Sequence, residues 1–328
     1  MSEICFDLEG PLATQDNAYE LMKLFPDGGR IFEVISRYDD LLTIEARVDY
    51  EPGDTLALIA PFLVCHGIKE DDISELARKA TLTPGAISLI SRLSAQGWKI
   101  FCISTSYEQY ARRVASRLGI FSQYIASTSF PIDKFSSESG TDDFRILEAL
   151  EKDILDKQSP DDTWIKKRLD RFYWKELPKT SLGRLTQQVK PVGGQRKVEA
   201  LKRFAEIQKQ PLSSWVVVGD SITDFKMLQA VDRAGGLAVA FNANEYALPH
   251  ATIGLASTHL DDLMSVLEAW NKGKRFAVEK MVREKEKFGG KDNRGYFHWL
   301  SGIQNIAGPL EVHKRIRRIV REEAAKLG

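Results

Sequence analysis

The stretch Val216-Val217-Val218-Gly219-Asp220-Ser221-Ile222-Thr223-Asp224 constrains the fold of this 328-residue chain more than any other. Three consecutive valines read as a strand buried on both faces, the habit of a parallel sheet. The glycine ends that strand, Asp220 stands at its mouth, and Asp224 follows one helical turn later. The pair offers hard oxygen donors suited to Mg2+. A second strand end opens the chain, where Glu3-Ile4-Cys5-Phe6-Asp7 is a short apolar run closing on a carboxylate. Ligands of open α/β sheets bind beyond the carboxyl ends of the strands, so Asp7 and Asp220 are predicted to meet there.

Strand and helix signals alternate around these two ends. Thr83-Pro84 starts a helix that stops near Gly97; a strand follows over 98–103, a helix over 108–118 and another strand from Tyr124. Further on come a helix over 197–209, a strand over 215–218, a helix over 224–230 and a strand over 237–241. Such alternation predicts a doubly wound parallel sheet of α/β class, with residues 1–14, 84–132 and 188–267 as its core. Residues 15–83 carry apolar side chains at helical spacing and predict an inserted helical cap. Within it Gly28-Gly29 and Pro52-Gly53 read as punctuation, Asp54 as an N-cap, and Pro61 as a kink. Residues 133–187 are polar and charged, a second helical insertion without a chemical motif. Residues 268–328 read as a basic helical extension broken by the glycine-rich stretch 288–295.

Composition narrows the class. Hydrophobic residues at 43% and charged residues at 28% suit a water-soluble fold, and no apolar run approaches the roughly 20 residues that span a bilayer. The first strand begins too early for a signal peptide, so a cytoplasmic location with no membrane association is expected. Cys5, Cys65 and Cys102 sit among apolar neighbours and read as buried thiols. A net charge of zero conceals an asymmetry: residues 269–328 hold 15 Lys and Arg against 7 Asp and Glu, a balance of +8. That tail is expected to serve recognition or assembly, as a homo-oligomer or protein-partner surface, rather than chemistry; basic helix faces are common, and nucleic acid is not favoured.

Three further segments join the valine strand. Phe6-Asp7-Leu8-Glu9-Gly10-Pro11-Leu12 sets two carboxylates either side of one residue, so that one can attack phosphorus while the other protonates a leaving oxygen. Phe101-Cys102-Ile103-Ser104-Thr105 ends a strand in hydroxyls, and Lys197 begins a helix 23 residues before Asp220. A fixed ammonium there would balance both the nucleophile and developing phosphoryl charge.

Together the four segments resemble the phosphoserine phosphatase branch of the haloacid dehalogenase superfamily, over residues 3–130 and 190–267. The Asp-Leu-Glu-Gly form is similar to that of phosphoserine:homoserine phosphotransferase relatives within it. The resemblance implies Asp7 as nucleophile and metal ligand, Glu9 as general acid then base, and Ser104, Thr105 and Lys197 as phosphoryl ligands. It also implies Mg2+ held by Asp7, the Leu8 backbone carbonyl, Asp220 and Asp224, and a small phosphorylated metabolite as substrate, its amine met by Asp16. The chain departs from the family pattern at Glu9, Pro11 and Thr223, and the cap helix Thr55-Leu56-Ala57-Leu58-Ile59-Ala60-Pro61-Phe62 lacks the arginine that would greet a substrate carboxylate. Those departures support an alternative, a vestigial member of the fold acting as a partner-binding subunit.

Overall fold

β1 (Glu3–Phe6) is wholly buried and lies at the centre of a sheet, paired in parallel with β2 (Lys99–Tyr107) on one side and β4 (Trp215–Gly219) on the other. The computed structural model describes residues 2–321. β3 (Ile125–Thr128), β5 (Leu237–Phe241), β6 (Ile253–Ala256) and β7 (Tyr296–Trp299) complete the order β3-β2-β1-β4-β5-β6-β7. Pairing sets Phe6 level with Cys102 and Val218. The strand order reverses at β1, and both carboxylate-bearing strand ends open at that switch point.

Helices α5 (Ala86–Ala95), α6 (Glu108–Arg117), α11 (Gln195–Gln208) and α12 (Phe225–Arg233) flank the sheet as the alternation predicts. Two apolar layers result, one holding Ile4, Phe6, Val216 and Val218, the other Cys5, Phe101, Val217 and Trp215. Cys5 and Cys102 are buried free thiols, as their neighbours implied, while Cys65 is half-buried.

The cap comprises α1 (Asn17–Met22), α2 (Gly28–Ile44), α3 (Thr55–Cys65) and α4 (Glu70–Lys79). Gly28 and Gly29 do not separate helices but open α2, where the Met22 carbonyl leaves no space for a Cβ at Gly28. Asp54 precedes α3 without capping it by its side chain, which is drawn off to Arg196 and the Glu51 N–H. α3 runs through Pro61 and is apolar on nearly every face. A helix apolar all round needs cover on all sides. The second insertion supplies it: α7 (Ile132–Glu138), α8 (Thr141–Asp156) and α10 (Ser181–Thr186) pack on α3, and α9 (Asp162–Arg171) on α2. The Tyr173 hydroxyl donates to the Leu58 carbonyl at 2.9 Å, and the Tyr38 hydroxyl to Asp170 at 2.5 Å.

The C-terminal residues are not an appendage. α13 (Met264–Phe288) bends where Gly273 and Lys274 leave helical angles; β7 then adds an antiparallel edge to β6, and α14 (Ala307–Arg321) returns across the sheet. α14 is pinned by buried Ile316 and by His313, whose Nδ1 accepts the Ala243 N–H at 2.9 Å. The expectation of a tail that is helical apart from its glycines is thereby corrected: Tyr296-Phe297-His298-Trp299 is a strand, its aromatic residues suited to a half-buried pleat.

Candidate active site

Asp7 leaves β1 with its N–H donating to the Val218 carbonyl at 2.8 Å, which holds its carboxyl beside the end of β4. There one oxygen each of Asp7, Asp220 and Asp224 lie within 4.8 Å of one another, all buried. Gly10, at φ +98°, lets the loop after Asp7 pass against Asp220, where any Cβ would overlap the carboxylate. The buried Lys197 ammonium donates to Asp7 Oδ1 at 2.7 Å and to Asp224 Oδ1 at 2.6 Å. Burial alone would lower Lys197, but the charges of Asp224 and Asp7 outweigh it and hold the group above the ordinary lysine value. A solvated basic helix start is therefore excluded for this residue.

Burial and then the charge of Asp224 press the Asp7 carboxyl upward, with Asp220 adding to them and Lys197 opposing. A carboxylate so placed calls for a further cation. The donor set fits one: three carboxylates are hard oxygen ligands, and Asp220 Oδ1 is buried without a hydrogen-bond partner. Asp224 has less to offer directly, because Oδ1 takes Lys197 and Oδ2 takes the Asp220 and Ser221 N–H groups at 2.9 and 3.1 Å. Its role shifts toward orienting the others. Leu8 is corrected as a metal ligand. Its carbonyl accepts the Leu12 and Ala13 N–H groups at 3.0 and 2.8 Å, so both lone pairs are committed to the loop.

Glu9 lines the same cleft, and its Oε1 accepts the Asn17 N–H at 2.7 Å. Burial, then the charge of Asp16, push its carboxyl up to about 7, against the pull of Asn17 and Arg321. Thr105 also lines the cleft, whereas Ser104 is fully buried and its Oγ accepts the Ser106 N–H at 3.1 Å. Asp16 reaches the cleft while N-capping α1, its Oδ1 accepting the Tyr19 N–H at 2.9 Å. Thr223 is present in the lining, its hydroxyl 3.1 Å from that of Ser221.

The cap is closed over these groups. Gly53, at φ +95°, brings the turn after α2 onto the side chains of Thr105 and Thr223. Glu51 accepts Lys226 Nζ at 2.8 Å, and Asp54 pairs with Arg196. The resulting cleft measures about 140 Å³ and also admits Phe32, Ser36, Asp39 and Thr55 from the cap.

Two site residues escape any reading of the motifs. Arg317 and Arg321, four apart on one face of α14, are buried and both donate from Nη1 to Asp220 Oδ2, Arg321 at 3.0 Å. Both line the cleft. The tail does not stand apart from the cleft: its arginines hold a carboxylate of the triad. The i,i+4 repeat His313, Arg317, Arg321 is the signal that the sequence does contain. Arg47, which precedes the arginine-free cap helix in the sequence, stacks 3.9 Å over the Trp174 ring and does not line the cleft.

No family model matches the chain. A curated phosphoserine phosphatase of Streptomyces coelicolor is 25% identical over 201 residues, 61% of this chain, which spans only 36% of that relative's length. A gene product of Archaeoglobus fulgidus has a solved structure that superposes with a TM-score of 0.83 at 30% identity, covering 100% of this chain and 99% of the other. A structure titled as a phospho-aspartyl intermediate analogue of phosphoserine phosphatase shares the fold, with a TM-score of 0.53 at 17% identity over 80% of this chain and 97% of that one. With these relatives and the motifs around Asp7, Lys197 and Asp220, the chain belongs to the haloacid dehalogenase superfamily, in its phosphoserine phosphatase-like branch.

Proposed function

We propose that the cleft cleaves a small phosphomonoester through a covalent phosphoryl group on Asp7, passing it to water or to an acceptor alcohol. The observation that carries this reading is the buried Lys197 bridging Asp7 and Asp224 beside Asp220, an ion cluster whose desolvation only a function at the strand ends would repay. An Asp7 carboxylate oxygen forms the new bond to phosphorus as the ester P–O bond breaks. The leaving oxygen takes the Glu9 proton. Glu9, now a carboxylate, removes a proton from the water or alcohol that attacks the phosphoenzyme, and Asp7 is released. A carboxyl poised at about 7 can serve in both directions near neutral pH. Lys197 fixes Asp7 and offsets charge on the transferring group. When bound among Asp7 and Asp220, with Asp224 orienting, Mg2+ would supply the charge screening that an anionic substrate needs against these carboxylates.

The closed cap favours a small metabolite, since its turn leaves a confined space and excludes bulk water. A partner-binding, vestigial role drew on the basic tail, yet two of its arginines are consumed inside the cleft. The test is Mg2+-dependent release of p-nitrophenol from its phosphate ester, with acid-quench trapping of phosphoenzyme. Turnover that survives chelation, or that persists in Asp7→Asn, would falsify the mechanism.

A further inference from the structure

Helix α11 carries Lys197 in its first turn, yet that turn contains no acid, and Gly194 at the N-cap offers no capping side chain. Arg196 and Lys197 stand side by side there, two cations at the end of a helix where the peptide dipoles already gather positive charge. The negative charge that α11 lacks comes from the cap. Glu51 Oε2 accepts the Gln195 N–H at 3.0 Å, and Asp54 pairs with Arg196, Nη2 lying 3.3 Å from Oδ2. The same Glu51 carboxylate takes Lys226, in the first turn of α12, at 3.0 and 2.8 Å. The core is shaped to receive this turn. A Cβ on Gly193 would overlap the Pro52 carbonyl, and one on Gly194 would overlap Glu51 Oε2. That seat is fixed from beneath: the Gly194 N–H donates to the Thr223 carbonyl and the Val192 N–H to Thr128 Oγ1, each at 3.0 Å.

We propose that Glu51 is a positioning residue for Lys197: the cap turn 51–54 serves as the N-terminal cap of α11, so the lysine is fully seated between Asp7 and Asp224 only while the cap is closed. The catalytic consequence rests on the phosphotransfer reading above. The first amides of a helix have no acceptor inside it, and a carboxylate at that end satisfies one of them while offsetting the dipole. With the cap turn withdrawn, Gln195 loses its acceptor and Arg196 its carboxylate, and the turn that holds Lys197 frays. Attack on phosphorus is thereby confined to the closed cleft, an arrangement in which closure over the substrate assembles the catalytic groups.

Three variants of the full chain separate the capping bond from the ion pair. Glu51→Gln and Lys226→Met each break the pair but leave an oxygen for the Gln195 N–H, whereas Glu51→Ala removes both. With Mg2+ and saturating p-nitrophenyl phosphate, rapid-quench formation of phosphoenzyme should stay near the parent rate in the first two, with KM raised. In Glu51→Ala it should slow by roughly fivefold or more. Deuterium exchange read by mass spectrometry should rise across residues 195–197 in Glu51→Ala alone. An alanine variant no slower than the glutamine variant overturns the inference, as does unchanged exchange at 195–197. Should the alanine variant fail to fold, wild type decides: the amides of the cap turn and of 195–197 should exchange together, and protection at 195–197 that outlasts opening of the cap turn overturns the inference. If wild type cleaves no ester, the phosphotransfer reading falls, and the exchange measurements still decide whether the cap turn caps α11.

Discussion

The cap and the C-terminal tail both lie outside the four motif segments and both wall the cleft, but they reach it by different physics. The cap closes from above through a turn, with Gly53 against Thr105 and Thr223 and ion pairs at Glu51 and Asp54. Glu51, Lys226 and Arg196 are partly exposed at the rim, whereas Asp54 and Thr105 are buried beneath it. The tail is built into the sheet by β7, pinned by His313 and Ile316, and delivers two buried guanidinium groups to Asp220. One wall meets the cleft through a turn; the other is part of the scaffold that holds the carboxylates at the strand ends. The signs also differ, acids from the cap and cations from the tail.

The comparison has meaning only if both walls serve the same chemistry, and the proposed nucleophile, Asp7, tests that first. Asp7→Asn keeps the volume and removes the attacking oxygen, so turnover and acid-stable phosphoenzyme should both fall to background while the circular dichroism spectrum is preserved. Activity retained by this variant would mean that neither wall encloses the reacting group.

Removal of the tail wall is the second test. A chain ending after Leu300 keeps β7 but loses α14, and with it both partners of Asp220 Oδ2. Loss of a group that orients a metal ligand costs about 10- to 100-fold in metal affinity or activity. We expect a loss at least that large on p-nitrophenyl phosphate, measured with a Mg2+ titration. An unchanged activity with the fold intact would return the tail to a bystander. By contrast, Glu51→Gln, which weakens the cap's pairing with Lys226, should alter KM more than kcat.

Third comes Glu9, which the cap's Asp16 and the tail's Arg321 pull in opposite directions. Its protonated fraction falls as pH rises through about 7, so phosphoenzyme formation from an alkyl ester should slow above that pH, and dephosphorylation should slow below it. Glu9→Gln should cost about 10²- to 10⁴-fold on an alkyl ester. With an aryl ester the leaving phenolate needs no proton, and rapid quench should show a burst of phosphoenzyme. Retention of the alkaline limb in Glu9→Gln would assign the proton to another group.

Much of this fold could be read from residues that act locally. The valine run, Asp7, Asp220 and Lys197 declare themselves because a strand end or a helix start fixes where each side chain goes. What escaped was set by distant packing. β6 and β7 were not read from the sequence, and β7 exists because β6 offers it an edge. Leu8 looked available until the loop behind it took its carbonyl, and Arg321 shows as a site residue only when Thr14, 307 positions away, is seen to accept its Nε. α3 explained itself once the second insertion covered its outer face.

The smallest expected effect asks whether cap and second insertion move as one wall. Tyr38 on α2 donates to Asp170 on α9 and accepts from Trp174 Nε1 at 2.8 Å, while Arg37 beside it makes an exposed pair with Asp162. Tyr38→Phe keeps the ring in the core but strips both bonds. Asp170 is still held by Lys166, and half-exposed Trp174 can turn to water, so the loss should be about 1 kcal/mol rather than the full cost of orphaned groups. Arg37→Ala removes a pair that solvent and salt screen, and should leave the denaturation midpoint where it was. If the two elements form one body, Tyr38→Phe will lower the global midpoint in a single transition with kcat/KM nearly unchanged. A separate early transition, seen by Trp174 fluorescence while the far-ultraviolet signal persists, would show instead that the insertion peels from the cap by itself.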